Sequence, residues 1–134
     1  MNISINPEMS LLTIQKQFTS FFPLLKIEFY SSKHDEKEGS TKNEQLSNSS
    51  ILCKINPNIS TFEWNIKKNQ VVSEFEKEFH SLFGIYIQVF RKNKNTWIQT
   101  TQTDSWKLIE QQEHAEEMSK EIDESETLDY HEQE

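Results

Sequence analysis

A weak internal repeat sets the strongest limit on how this chain folds. The stretch Ile3–Phe22 matches 64–83 without a gap, with five identities in 20 positions. When one residue is dropped after Pro23, the alternating apolar residues of 25–29 also fall on those of 85–89. The repeat therefore predicts two strand–helix–strand units of similar design. The identical positions are Ile5 with Ile66, Lys16 with Lys77, Phe18 with Phe79, Ser20 with Ser81 and Phe22 with Phe83.

Each unit combines the periodicity of a strand with that of a helix. Ile3 and Ile5 alternate with polar residues, which is typical of a short half-buried strand. A helix is then expected to begin between residues 7 and 11 and to end at Pro23. Gly84 takes the place of Pro23 in the second unit, as a helix terminator. The stripes predicted to be buried are Leu11, Ile14, Phe18 and Phe21 in the first helix and Val72, Phe75, Phe79, Leu82 and Phe83 in the second.

The order of these elements predicts an α+β fold. Two βαβ repeats, about 2–30 and 61–91, favour a ferredoxin-like split β-α-β sandwich with an extra C-terminal hairpin strand and helix. In that arrangement the first strands of the two repeats are central, and both helices cover one face of the antiparallel sheet. A swapped or otherwise mixed order of strands is the alternative.

Composition divides the chain into a body and a tail. Residues 31–48 contain almost no apolar side chain, so we predict a mobile loop there. From residue 111 to 134 there are ten acidic residues and one basic residue, while 1–110 carry a net charge of only +1. We therefore predict a single domain at 1–110, followed by an acidic tail at 111–134 that is partly helical to disordered.

Several classes of protein fit this composition poorly. The chain has two glycines, too few for a P-loop or a dinucleotide-binding turn, and its four histidines are not spaced like metal ligands. No serine or cysteine stands in a context typical of a nucleophile. We predict that the protein is not an enzyme and that it needs no cofactor or metal.

The chain is expected to be cytoplasmic. It contains no apolar run near the roughly 20 residues of a membrane span and no N-terminal pattern of a secretion signal. Cys53 is the only cysteine, so no intrachain disulfide can form.

The most distinctive stretch is 88–106, where aromatic and amide residues alternate with basic ones. A hairpin turn at Asn93-Lys94 would place Phe90 opposite Trp97 and direct Val89 towards the core. Aromatic rings beside amides and cations are typical of a recognition surface. The alternative is that the last helix covers these rings with Trp106 and Ile109. The predicted binding residues are Tyr86, Gln88, Phe90, Arg91, Lys92, Lys94, Trp97 and Gln99.

RNA binding has to be weighed on the same pattern. RNA-binding proteins of this fold stack bases on aromatic residues of the two central strands. The outward positions of those strands are here Asn2, Ser4, Glu63 and Asn65, none of them aromatic. If RNA is bound, the hairpin at 88–99 has to bind it.

The segment from Phe75 to Trp106 resembles a family of short bacterial proteins, found mainly in Bacteroidetes, whose function is unknown. The features that carry the resemblance are Phe75 and Phe79 ahead of Phe83-Gly84, then 88–92, Trp97, 99–101, Thr103-Asp104 and, in the first half, 25–30. The resemblance covers about residues 1–112, implies a bacterial cytoplasmic setting and supplies no function.

The leading hypothesis is a non-enzymatic protein-interaction or regulatory module that binds another protein through this surface, through a sheet edge, or through both. A homodimer formed at a sheet edge belongs to the same class. One alternative is an inhibitor of a nucleic-acid-handling machine, such as a defence nuclease or a ribonucleoprotein complex, which acts partly through its acidic tail by competing for a basic groove. The other is RNA binding through the hairpin. No contact with a membrane is predicted.

Overall fold

The computed structural model describes residues 1–32 and 44–132, with side chains up to Lys120. Within this part of the chain, strands and helices alternate as the repeat predicts, and the α+β class is confirmed. A short helix and a 3₁₀ turn at Thr101–Thr103 are added to the expected elements. In chain order they are β1 (Asn2–Ile5), α1 (Leu11–Phe21), β2 (Leu25–Tyr30), α2 (Leu52–Ile55), β3 (Phe62–Asn65), α3 (Val72–Phe83), β4 (Tyr86–Asn93), β5 (Thr96–Gln99) and α4 (Leu108–Glu132).

The two repeats pair strand for strand. β1 lies antiparallel to β3 with Ile3 opposite Trp64, and β2 lies antiparallel to β4 with Glu28 opposite Gln88. The repeat alignment makes Ile3 equivalent to Trp64 and Glu28 equivalent to Gln88. Each pairing is therefore centred on two equivalent positions, as expected when two units are related by an approximate two-fold axis.

The strand order differs from the ferredoxin-like prediction. The first strands of the repeats are neighbours as expected, but the described strands form two sheets, β1-β3 and β2-β4-β5. In a ferredoxin-like sheet β2 would lie beside β3. Here the second edge of β2 is already occupied by other groups, so the mixed order is the correct one. The carbonyls of Leu25, Ile27 and Phe29 accept hydrogen bonds from Thr19 Oγ1 (3.0 Å), Gln15 Nε2 (2.8 Å) and Leu46 N (2.8 Å) respectively.

Aromatic side chains join both sheets to the helices in one core. The indole of Trp64 in β3 stacks on Phe75 at 5.4 Å and meets Phe79 edge-on at 5.3 Å, and Phe79 also contacts Phe29 of β2 at 5.9 Å. Phe18 and Phe79, equivalent in the repeat, are both fully buried. Leu82 was predicted to be buried, but it is 40% exposed. It lies on the flank of α3, while Phe83 completes the buried stripe.

The ends of the helices follow from local chemistry. Ser10 is the N-cap of α1, since its hydroxyl accepts a hydrogen bond from Thr13 N. α3 ends at Gly84, whose φ of 70° is the left-handed conformation that glycine adopts without strain. Asn56 Nδ2 donates to the carbonyl of Phe83 at 2.8 Å and so satisfies one of the last acceptors of the helix.

The hairpin turn lies one residue later than predicted. Asn93 pairs with Thr96, so the turn is Lys94-Asn95, and Lys94 has a positive φ of 59°. Phe90 is therefore opposite Gln99, and Trp97 is opposite Lys92. A turn displaced by one residue moves the register by two, so the predicted faces of β5 are kept.

Helix α4 crosses the predicted boundary at residue 110. Gln111, Gln112 and Ala115 are buried, which extends the packed domain beyond the expected limit. Gln112 Oε1 accepts a hydrogen bond from Leu24 N at 2.9 Å, and Gln111 Oε1 accepts one from the Arg91 guanidinium. These two hydrogen-bonded amides fix α4 to the domain, although the sequence of the helix is mostly polar.

The predicted mobile loop at 31–48 lies partly outside the described residues, at 33–43. In its described part Gln45 forms a bridge with Tyr30, and Leu46 packs against the core. This end of the segment therefore belongs to the folded domain.

Replacement of Gln111 by alanine should destabilise the protein by about 1.5–3 kcal/mol, because it removes the amide that accepts from a cationic donor. Urea unfolding measures this change. Glu113→Ala, an exposed position on the same helix, should change the free energy of unfolding by less than about 0.5 kcal/mol. Equal effects of the two substitutions would mean that α4 is not docked through Gln111.

Candidate functional site

The outer face of the three-stranded sheet carries a cluster of two lysines and two aromatic rings. Strand alternation places Lys26 of β2, Phe90 and Lys92 of β4 and Trp97 of β5 on this face. Lys26 Nζ lies 5.3 Å from the ring centroid of Phe90 and 5.1 Å from that of Trp97, and Lys92 Nζ lies 5.6 Å from Trp97. These four residues are called the lysine–aromatic cluster below.

The charges around the lysine–aromatic cluster are only partly neutralised. Lys26 forms an ion pair with Glu28 at 3.1 Å, and Glu28 also accepts a hydrogen bond from Gln45 Nε2 at 2.8 Å. Lys92 is half-buried and contacts Trp97, while Lys94 is exposed in the hairpin turn. The side chains are carried by paired strands, and each cation–π contact adds about 0.5–1 kcal/mol at an exposed position. The cluster is thus a pre-ordered apolar surface with a cationic rim.

The other end of the same face is closed. Tyr30 and Gln88 are 2% and 1% exposed, and Tyr86 stacks on the His80 imidazole of α3 at 4.0 Å. Burial, with a smaller contribution from the nearby carboxylate of Glu28, raises the pKa of Tyr30 to about 12. This end of the sheet is part of the packed structure.

Arg91 lies on the opposite face of β4. Its guanidinium contacts the ring of Trp106 at 5.6 Å and the amide of Gln111, and burial lowers its pKa. Trp106 accordingly lies on the α4 side of the sheet, with its ring against Arg91 and His114. The alternative in which Trp106 covers Phe90 and Trp97 is therefore wrong.

The structure brings together part of the predicted set. Phe90, Lys92 and Trp97 form the cluster, with Gln99 half-buried opposite Phe90 and Lys94 at its rim. Three predicted residues do not belong to this surface: Gln88 is buried, Tyr86 lies against His80, and Arg91 faces α4.

Sequence reasoning missed Lys26 as a member of the site and Glu28 as its ion-pair partner. Their outward direction was predictable from the alternation of β2. What could not be predicted was that β2 pairs with β4, which places Lys26 opposite Phe90.

Within residues 1–32 and 44–120, no group of three or more histidine, cysteine, aspartate or glutamate side chains is arranged to hold a metal ion. The helices of the same ranges include none that is long and apolar enough to cross a membrane.

Comparison with known proteins adds no relative, since no family model, no curated protein and no solved structure matches the chain. The resemblance to the bacterial family therefore stays a prediction.

The pH dependence of stability should reveal the buried Tyr30 phenol. Its pKa of about 12 in the folded state exceeds the ordinary value of 10.0, so the unfolded chain releases this proton first as the pH rises. The stabilisation is complete below pH 10 and is lost as the pH rises towards 12. The free energy of unfolding, measured with urea across this window, should therefore fall more steeply with pH in the wild type than in Tyr30→Phe, by up to about 1.4 kcal/mol per pH unit. Equal slopes for the two proteins would contradict the raised pKa of Tyr30.

Proposed function

We propose that the chain is a non-enzymatic protein-interaction module and that the lysine–aromatic cluster is its recognition surface. The observation that carries the proposal is that two half-buried rings lie on the same outer face of a sheet, with the Lys26 amine in contact with both. Aromatic side chains, tryptophan above all, are among those that most often dominate the binding energy of protein interfaces.

The chemistry of the cluster defines the partner it suits. Phe90 and Trp97 offer apolar area on rigid strands, which lowers the entropic cost of binding. Lys92 and Lys94 add positive charge, whereas Lys26 is already paired with Glu28. The surface fits a partner that inserts an apolar side chain between flanking carboxylates. The cytoplasmic setting remains part of this proposal.

RNA binding is the second candidate, and one observation favours it. Phe90 lies on β4, the central strand of the three-stranded sheet, and Trp97 lies on the neighbouring strand. Two rings with flanking lysines on an open sheet face can stack successive bases of a single strand. The lack of aromatic residues at the outward positions of β1 and β3 does not count against this candidate, because those two strands form the other sheet.

Affinity capture from the native host tests the proposal. Trp97→Ala and Phe90→Ala should each lower the recovery of the bound protein at least tenfold, because each removes one ring of the surface. Lys92→Glu should weaken capture as well, whereas Lys68→Glu, the same charge change at an exposed position elsewhere, should not. Far-ultraviolet circular dichroism and urea unfolding establish that the variants are folded.

Two results would contradict the protein-binding proposal. Undiminished capture by folded Trp97→Ala and Phe90→Ala would remove the surface from consideration. Release of the captured material by ribonuclease, together with binding of a labelled uridine oligonucleotide that weakens with Lys92→Glu, would favour the RNA candidate instead.

A further inference from the structure

The outer edge of β3 has no strand beside it among the strands that the structure describes. Ile66 N donates to Met1 O at 2.7 Å, in the same antiparallel register that places Ile3 opposite Trp64. Hydrogen-bonded and non-bonded pairs alternate along an antiparallel ladder. The N–H and C=O groups of Glu63 and Asn65 therefore point away from β1, towards this outer edge.

Two other stretches of strand edge are closed by specific contacts: the second edge of β2, and the part of β4 that precedes its pairing with β5. Three carbonyls of β2 accept hydrogen bonds from Thr19, Gln15 and Leu46. On β4, Val89 N donates to Glu76 Oε2 at 3.0 Å, and Val89 O accepts from Thr100 N and Oγ1. Proteins commonly protect sheet edges in such ways, since an open edge is a template for another strand. The edge of β3 differs from these two in having no such contact among the described residues.

An open groove of about 520 Å³ runs along this edge, with β3 on one side and the flank of α3 on the other. Leu82 lines the groove and is 40% exposed. The flank of α3 therefore extends beyond the edge of β3. A strand added to β3 would pack on this flank and cover Leu82.

The charges of the groove define the strand it would accept. Glu63 accepts a hydrogen bond from Ser4 Oγ at 2.6 Å, and Glu78 accepts from Trp64 Nε1 at 3.3 Å and from Gln70 Nε2. These donors are neutral, so two carboxylates line the groove, with Lys67 near one end. We propose that the β3 edge binds an extended partner segment in which apolar residues alternate with lysine or arginine, by addition of a strand to the sheet.

A second copy of this chain fits the groove poorly. Pairing of two β3 edges about a two-fold axis would place both α3 helices beneath the same two strands. Neighbouring strands lie about 4.8 Å apart, whereas packed helix axes need about 8–10 Å. A segment without a helix of its own avoids this overlap.

The test uses the full chain and a fluorescein-labelled nine-residue peptide of alternating lysine and valine. Fluorescence anisotropy should detect saturable binding. Glu63→Lys should weaken it at least tenfold, and Glu8→Lys, the same charge change at an exposed turn, should weaken it less than twofold. In hydrogen exchange by NMR, the amides of Glu63 and Asn65 should slow at least tenfold when the peptide is bound.

Controls separate strand addition from simple charge attraction. A peptide with proline in place of valine has the same charge but cannot add to a sheet, so it should bind at least tenfold more weakly. Trp97→Ala should leave peptide binding unchanged, which keeps this site distinguishable from the lysine–aromatic cluster.

Three results would overturn the proposal: no saturable binding, equal binding of the proline peptide, or no change in the exchange of Glu63 and Asn65. A concentration-dependent dimer in light scattering that Glu63→Lys abolishes would also overturn it, because the occupant of the edge would then be a second copy.

Discussion

Strand pairing between the two repeats is the constraint on which the rest of the structure depends. A strand–helix–strand unit that contributes one strand to each of two sheets cannot satisfy its own backbone groups, so each unit needs the other. The pairs Ile3 with Trp64 and Glu28 with Gln88 lie at the centres of the two ladders. Trp64 and Phe79 then fill the space that the two sheets and two helices enclose. Aromatic side chains suit this task, because a few of them fill a core in a chain with little other apolar area.

The same pairing builds the candidate surface. Because β2 lies beside β4, Lys26 stands opposite Phe90 and within reach of Trp97 on the third strand. The lysine–aromatic cluster thus takes residues from three strands, the first of them distant in sequence from the other two. The inner face of the same strands packs against the helices, and Arg91 and Gln111 join that face to α4. On the outer face, Phe90, Lys92 and Trp97 stay half-buried, while the end at Tyr30 and Gln88 is closed.

Much of the local structure followed from periodicity and terminators. The alternation of Ile3 and Ile5, the helical stripe through Phe18 and the left-handed Gly84 each correspond to an observed element. The strand order did not follow, because it depends on polar contacts that sequence patterns assign to solvent. Gln15, on the outward side of its predicted helix, donates to Ile27 O and helps to close the edge of β2. Gln111 is buried for a similar reason, since an amide paired with Arg91 can leave water. The position of the hairpin turn could not be predicted, because Lys94 takes the positive φ that is expected of asparagine or glycine.

The pairing of β2 with β4 can be measured directly by NMR. Opposite residues of a non-hydrogen-bonded antiparallel pair bring their Hα atoms close together. The bond from Lys92 N to Leu24 O fixes the alternation, so Ile27 and Val89 form such a pair. We expect a strong Hα–Hα nuclear Overhauser effect between Ile27 and Val89. Its absence, together with cross-strand effects from β2 to β3, would place the strands in a single ferredoxin-like sheet and contradict the pairing of the two repeats strand for strand.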